Sequence, residues 1–172
     1  MKQNKKYNDD LRIGYKRSNF IYGGLIYAVG DTIASLLLGE FGWVRLLGML
    51  LIGATLYAIE IPAYFKWIEK KVPSEEGLLP KIQKTLLAIL YFNPLWVARH
   101  LLLIKLFSLQ VDQINFELVQ IAWLSFLGTI PISILANYII QNLIKLDWRY
   151  IGSSIFSALM ALYYAFSATF FA

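Results

Sequence analysis

Apolar and polar positions do not alternate along this chain; the apolar ones gather into five long blocks, at residues 20–38, 44–65, 85–107, 118–143 and 150–171. Each is about the 17 to 25 residues that a helix needs to cross roughly 30 Å of hydrocarbon. A helix satisfies its own backbone donors and acceptors, as lipid demands, whereas a closed barrel would need more and shorter segments of period two. The pattern predicts an all-α, polytopic transmembrane helical bundle with five membrane-spanning helices, four being the alternative. The fourth block is long enough to tilt or kink, and Pro131 near its middle removes a backbone donor where a kink would fall.

The connections are short. Residues 39–43 join the first two blocks and 66–84 the second and third, where Ser74 ahead of Glu75 and Glu76 is placed to cap a short surface helix. Residues 1–19 form a basic N-terminal segment, and 20–172 read as a single transmembrane helical domain. The leader has too few apolar residues for a secretory signal, and Asp9 and Asp10 count against a cleaved mitochondrial presequence, so it is expected to stay on the mature protein.

Composition sharpens this picture. Hydrophobic residues make up 58% and charged residues 16%, with a mean hydropathy of +0.56. Soluble domains carry about 25% charged residues. Zero cysteines remove disulfides, thiolate chemistry and cysteine-ligated metals, and a single histidine removes a histidine-rich metal site. No glycine loop for phosphate, no paired loop carboxylates with a histidine and no serine-base-acid set is visible. The chain is read as a non-enzyme without a cofactor.

The net charge is +5, and its placement matters more than its size. Six basic residues lie in the first 17, five more are Lys66, Lys70, Lys71, Lys81 and Lys84, and Lys145 and Arg149 follow the fourth block, thirteen in all on one side. The other side has Arg45 and Lys105. The positive-inside rule then puts the N-terminus inside and the C-terminus outside. The basic leader reads as a topology and headgroup anchor, and no nucleic-acid partner is expected, because no aromatic-basic platform accompanies it.

Ionisable residues within spans mark a pathway or a structural pair. Asp31, Glu60, Arg99 and His100 are these residues. Counting 1.5 Å per residue puts Asp31 and Arg99 both a few Å into the outer half, where they could pair, and leaves Glu60 in the inner half without a charged partner. Two readings stand: ion pairs that hold helices together, or a water-lined crevice. His100 reads as packed or hydrogen-bonded. Asn137 and Gln141, four residues apart, read first as interhelical hydrogen-bonding glue and second as a pore stripe. Ser153, Ser157, Ala161 and Ala165 form a stripe of small side chains suited to close packing within the chain or, alternatively, between copies. Gly23, Gly24, Gly48 and Gly53 read likewise as close-packing sites.

Several of these residues fall in an ordered series: Gly30-Asp31, Arg45, Gly53, Tyr64-Phe65-Lys66, Glu69-Lys70, Pro73, Lys84-Thr85-Leu86-Leu87, Phe92-Asn93-Pro94, Pro131, Asn137-Tyr138, Leu146, Arg149 and Tyr163. The series resembles the family of small peroxisomal and mitochondrial inner-membrane proteins typified by Mpv-seventeen, over most of the chain from Tyr27 onward. The chain departs from it at Ala58-Ile59, where the family has Gly-Pro, and at Met160, where it has tryptophan. A proline after the asparagine-aromatic step is missing, and the loop before Arg149 is longer. A distant member or a bacterial relative fits those departures. A weaker similarity, to bacterial alanine exporters, rests on Ala28-Val29, Asp31-Thr32 and Ile61-Pro62-Ala63-Tyr64.

The first resemblance implies a multi-helix membrane protein that forms a channel for small solutes. The expected function is accordingly a small integral-membrane channel or transport protein for small hydrophilic solutes. It would sit in the mitochondrial inner or peroxisomal membrane, or in the cytoplasmic membrane of a bacterium. The alternatives are a small amino-acid exporter, which would need a protonatable group such as Asp31 or Glu60, and a non-transporting accessory or assembly subunit. The expected partners are the lipid bilayer, a small hydrophilic solute, and either further copies of the chain or a larger membrane complex.

Overall fold

The computed structural model describes residues 16–72 and 77–170, with side chains as far as residue 163. The basic leader before Lys16, the proposed Ser74 cap with Pro73, and the side chains of Tyr164 and Ala165 lie outside the described residues. Among the described residues six α-helical segments make up the fold, with a short 3-10 turn at Val111–Gln113: α1 Arg17–Leu37, α2 Trp43–Lys71, α3 Leu78–Tyr91, α4 Pro94–Phe107, α5 Glu117–Asn142 and α6 Leu146–Phe170. Among the described residues there is no strand.

Among the described residues four stretches are long and apolar enough to cross a membrane: α1, α2, α3 with α4, and α5. The expected fifth span falls on α6, which has 25 residues, part of them without described side chains. The third block is not one uninterrupted helix. Asn93 caps α4, its Oδ1 accepting from the backbone N–H of Leu95 and Trp96 at 2.9 and 3.1 Å, and Pro94 at the first helical position gives up a donor that would be unsatisfied there anyway. Pro131 has no such cap before it, and α5 runs on unbroken. The expected loop 66–84 shrinks as well, because α2 continues to Lys71 and α3 begins at Leu78.

The reversal after α1 is a glycine C-cap. Gly39 has φ +71, its N–H donates to Leu36 O, and the Glu40 N–H donates to Ser35 O at 2.8 Å, the paired bonds of a Schellman motif. The end of α4 has the same two bonds, from Leu109 to Leu106 O and from Gln110 to Lys105 O. Leucine, not glycine, stands at the left-handed position there, with φ 59.

Small residues set the helix register. A Cβ on Gly23 would lie 2.7 Å from Gly53 O, and one on Gly30 would lie 2.5 Å from the Ala158 Cβ. The first contact brings α1 against a π-helical turn of α2, Gly53–Tyr57, where the Tyr150 hydroxyl of α6 donates to Gly53 O at 3.0 Å. The second belongs to the α1–α6 packing, which with α1–α2 is one of the two most extensive in the bundle. Ser153, Ser157 and Ala161 are buried, which places that part of the small-residue stripe inside the chain's own packing.

The core follows one face of α2, where Tyr57, Ile61, Phe65 and Ile68 are all at most 1% exposed. Outside, Leu25, Val29, Leu47, Leu51, Leu90 and Leu135 are each more than half exposed. In water this would be an extensive apolar surface, whereas against acyl chains it is the ordinary outer face.

Candidate functional site

The polar side chains that lipid would reject turn inward and gather at three levels. At one end of the bundle Arg45 Nε donates to Asp31 Oδ2 at 2.8 Å and Nη2 to Oδ1 at 2.9 Å, with both side chains at most 3% exposed. A third bond runs from Arg45 Nη1 to Glu40 at 3.3 Å. The helix register accounts for this pair: Asp31 is eight residues beyond Gly23 on α1, and Arg45 is eight before Gly53 on antiparallel α2.

Midway, Arg99 Nη1 donates to both oxygens of Glu60, at 3.1 and 3.0 Å, and the guanidinium lies 5.7 Å from the centre of the Tyr57 ring. This pair is partly open, the side chains being 36% and 30% exposed. The expected Asp31 and Arg99 pair is therefore corrected, and Glu60 does have a charged partner. Depth counted along straight spans misses two things: the third span is broken at Asn93, and Cβ atoms lean toward each helix's N-terminus. On antiparallel α2 and α4 that lean carries Glu60 and Arg99 toward one another.

At the opposite end Glu69 Oε1 accepts from Lys84 Nζ at 2.9 Å and from Arg149 Nη1. Arg149 Nε donates to Ile144 O at 2.9 Å, and its Nη1 reaches Gln141 Oε1 at 3.4 Å. Glu69, Lys84 and Arg149 are all buried. Sequence reasoning left them in loops. The available signal was periodicity, since Glu69 continues the buried face of Ile61 and Phe65 at helical spacing.

Between these levels run neutral polar groups. His100 is 2% exposed, stacks on Trp96 with centroids 5.4 Å apart, and has Nδ1 3.1 Å from the Tyr57 hydroxyl. Tyr27, one helical turn before Asp31, has its ring 6.3 Å from that of His100. Gln141 bonds across helices to Arg149, whereas Asn137 Nδ2 donates to Ser133 O of its own helix at 2.9 Å. Asn137 and Trp96 both line a cavity of about 20 Å³ together with Ser133 and Ser157. Two buried atoms on these residues, Trp96 Nε1 and Asn137 Oδ1, have no hydrogen-bond partner.

All six sequence-predicted residues are thus placed. Asn137 and Gln141 share one face near the Glu69 end, Glu60, Arg99 and His100 surround Tyr57, and Asp31 stands apart with Arg45. Among the described residues no three metal-ligating side chains of His, Cys, Asp or Glu come together. An apolar exterior around a paired polar interior defines an all-helical bundle of the integral-membrane class. Comparison of the chain with family models, with curated proteins and with solved structures finds no match in any of the three.

Proposed function

We propose that this protein is a small integral-membrane channel or transport protein for small hydrophilic solutes. One observation carries the reading: a column of buried polar side chains runs the length of the bundle. It starts at Glu69, Lys84 and Arg149, continues through Gln141, Asn137, Ser157, His100, Tyr57 and Tyr27, and ends at Asp31 and Arg45. Polar groups are costly in hydrocarbon, and inside spans they line solute or ion paths as well as join helices. The packing along the column is closed, so passage requires helices to part, and the π turn of α2 and the Asn93-Pro94 break are the places where helical hydrogen bonding is already interrupted.

Membership of the Mpv-seventeen family is part of the same proposal. Support comes from the way residues of the resembling series meet in space: Asp31 with Arg45, and Glu69 with both Lys84 and Arg149.

Solute release from liposomes holding the folded protein, compared with empty liposomes, tests the proposal. Ions, amino acids and sugars below some size limit should escape faster from the protein-containing vesicles, and Arg99→Gln, which removes the charge beside Tyr57 of the column, should alter the selectivity. Equal release for every solute rejects the reading. An amino-acid exporter would instead show flux that depends on an imposed gradient.

The accessory-subunit reading is favoured by one specific feature, the partly open Glu60 and Arg99 pair at mid-depth. Hydrocarbon solvates such a pair poorly, and a helix of another protein or another copy would cover it. Stoichiometric co-purification of a partner, together with silent liposomes, is the outcome that selects this reading.

A further inference from the structure

We infer that the pocket at the inner end of α1, α2 and α6 binds the phosphate group of an anionic lipid headgroup. The site is separate from the transport proposal and stands whether or not the protein moves a solute.

The walls supply the chemistry. Lys16, Asn19, Lys66 and Asp147 line the pocket together with Phe65 and Tyr150. Lys16 and Asp147 form an ion pair on its outer rim, with side chains 42% and 71% exposed, while Asn19, Phe65 and Tyr150 are buried. A lysine ammonium has three donors, so Lys16 can hold Asp147 and a phosphate oxygen together, and two lysines against one aspartate leave the lining with a positive excess. Asn19 is 5% exposed, and its amide makes no hydrogen bond to a described residue yet is not sealed from solvent. A buried amide without a partner is costly, whereas one that donates to an anion gains a charge-assisted bond. The start of α1 adds to this, because it has neither a side-chain cap nor an acid in its first turn, and the free N–H groups there favour an anion.

Size and depth select the ligand. The pocket measures about 20 Å³, room for one oxygen-sized group, so a phosphate seats one oxygen beside Asn19 and keeps the others at the rim with Lys16 and Lys66. The helices α1 and α6 begin at Arg17 and Leu146, so the pocket lies where two spans enter the interface, at the end that the basic residues mark as inner. Trp148, next to Asp147, is 59% exposed, as befits a tryptophan at headgroup level. Lipid phosphates are the anions already concentrated at this depth, and anionic lipids give an inner leaflet its negative potential. A soluble phosphate has no such advantage.

Native mass spectrometry of the full chain in detergent, titrated with phosphatidylglycerol, phosphatidylcholine or inorganic phosphate, tests the site. One phosphatidylglycerol should bind more tightly than further copies, and more tightly than phosphatidylcholine. The basic leader attracts anionic lipid too, so variants decide where that first lipid sits. Lys66→Gln and Asn19→Leu should each weaken it about tenfold, the usual worth of one hydrogen bond to a charged group, whereas Lys105→Gln at the opposite end should leave it unchanged. Circular dichroism and thermal unfolding establish that each variant is folded; if Asn19→Leu is not, Lys16→Gln combined with Lys66→Gln takes its place. An undiminished first adduct in either folded variant overturns the inference, as does equal affinity for the two lipids. Displacement of the lipid by an equal concentration of inorganic phosphate overturns the assignment to lipid and makes the ligand a soluble phosphate.

Discussion

Arg45 places two nitrogens on two oxygens of Asp31 in surroundings that solvent scarcely reaches. Two charges so placed attract strongly, yet much of that attraction is offset by their desolvation, so the pair as a unit adds little net stability. Removing one partner is another matter, because the survivor stays buried and unpaired. Asp31→Asn or Arg45→Gln alone should cost about 3–5 kcal/mol, and the double substitution should cost clearly less than the sum. Asp31→Asn combined with Arg99→Gln should instead be additive within about 0.5 kcal/mol. Equilibrium unfolding in mixed detergent micelles measures all of these, and additivity within the Asp31 and Arg45 cycle would show that the pair does not form.

At the scale of the helix, the two Schellman ends differ in one instructive way. Gly39 adopts its positive φ without penalty, whereas Leu109 does so with a Cβ in place. A left-handed non-glycine residue costs roughly 1–2 kcal/mol. Leu109 is 72% exposed, so little packing is lost on truncating it. Leu109→Gly should therefore stabilise the protein by about 1 kcal/mol, seen as a higher midpoint in thermal unfolding; a lower midpoint would mean that the leucine side chain is held by something outside the chain. The small-residue stripe of α6 gives a second prediction at this scale. Ala161→Leu adds volume at a buried position and should cost about 1–3 kcal/mol, whereas Leu159→Ala, on the exposed face, should change stability much less. Equal tolerance at both positions would place the small stripe against lipid.

For the molecule as a whole, burial revises the charge count behind the topology. Lys84 and Arg149 share Glu69, and Arg45 is held by Asp31. Subtracting these leaves eleven basic residues on one side against Lys105 on the other, so the bias grows steeper. The expected topology, with α6 crossing as a fifth span, is tested with single cysteines at Ser74 and Ala172, which a cysteine-free chain reports cleanly. Labelling from opposite sides of sealed vesicles is the expected outcome. Labelling of both from one side would leave four crossings.

The length and spacing of the apolar blocks, read from the sequence alone, determined an all-helical bundle with helices long enough to cross a membrane, because the hydrocarbon thickness and the need to satisfy backbone groups are one-dimensional constraints. They also marked Asp31, His100, Asn137 and Gln141 as polar residues inside the spans, all four of them buried, and glycines and small residues as close helix contacts. Partner choice was decided only in three dimensions. Asp31 meets Arg45 because the Gly23 and Gly53 contact sets one register, and Glu60 meets Arg99 because the third span breaks at Asn93 and antiparallel side chains lean together. Glu69, Lys84 and Arg149, from α2, α3 and α6, form a cluster whose members look like ordinary loop charges when each is read in its own segment. Hydropathy along a chain fixes depth to within a turn or so, and a hydrogen bond requires agreement within a few tenths of an ångström, a precision that only packed helices supply.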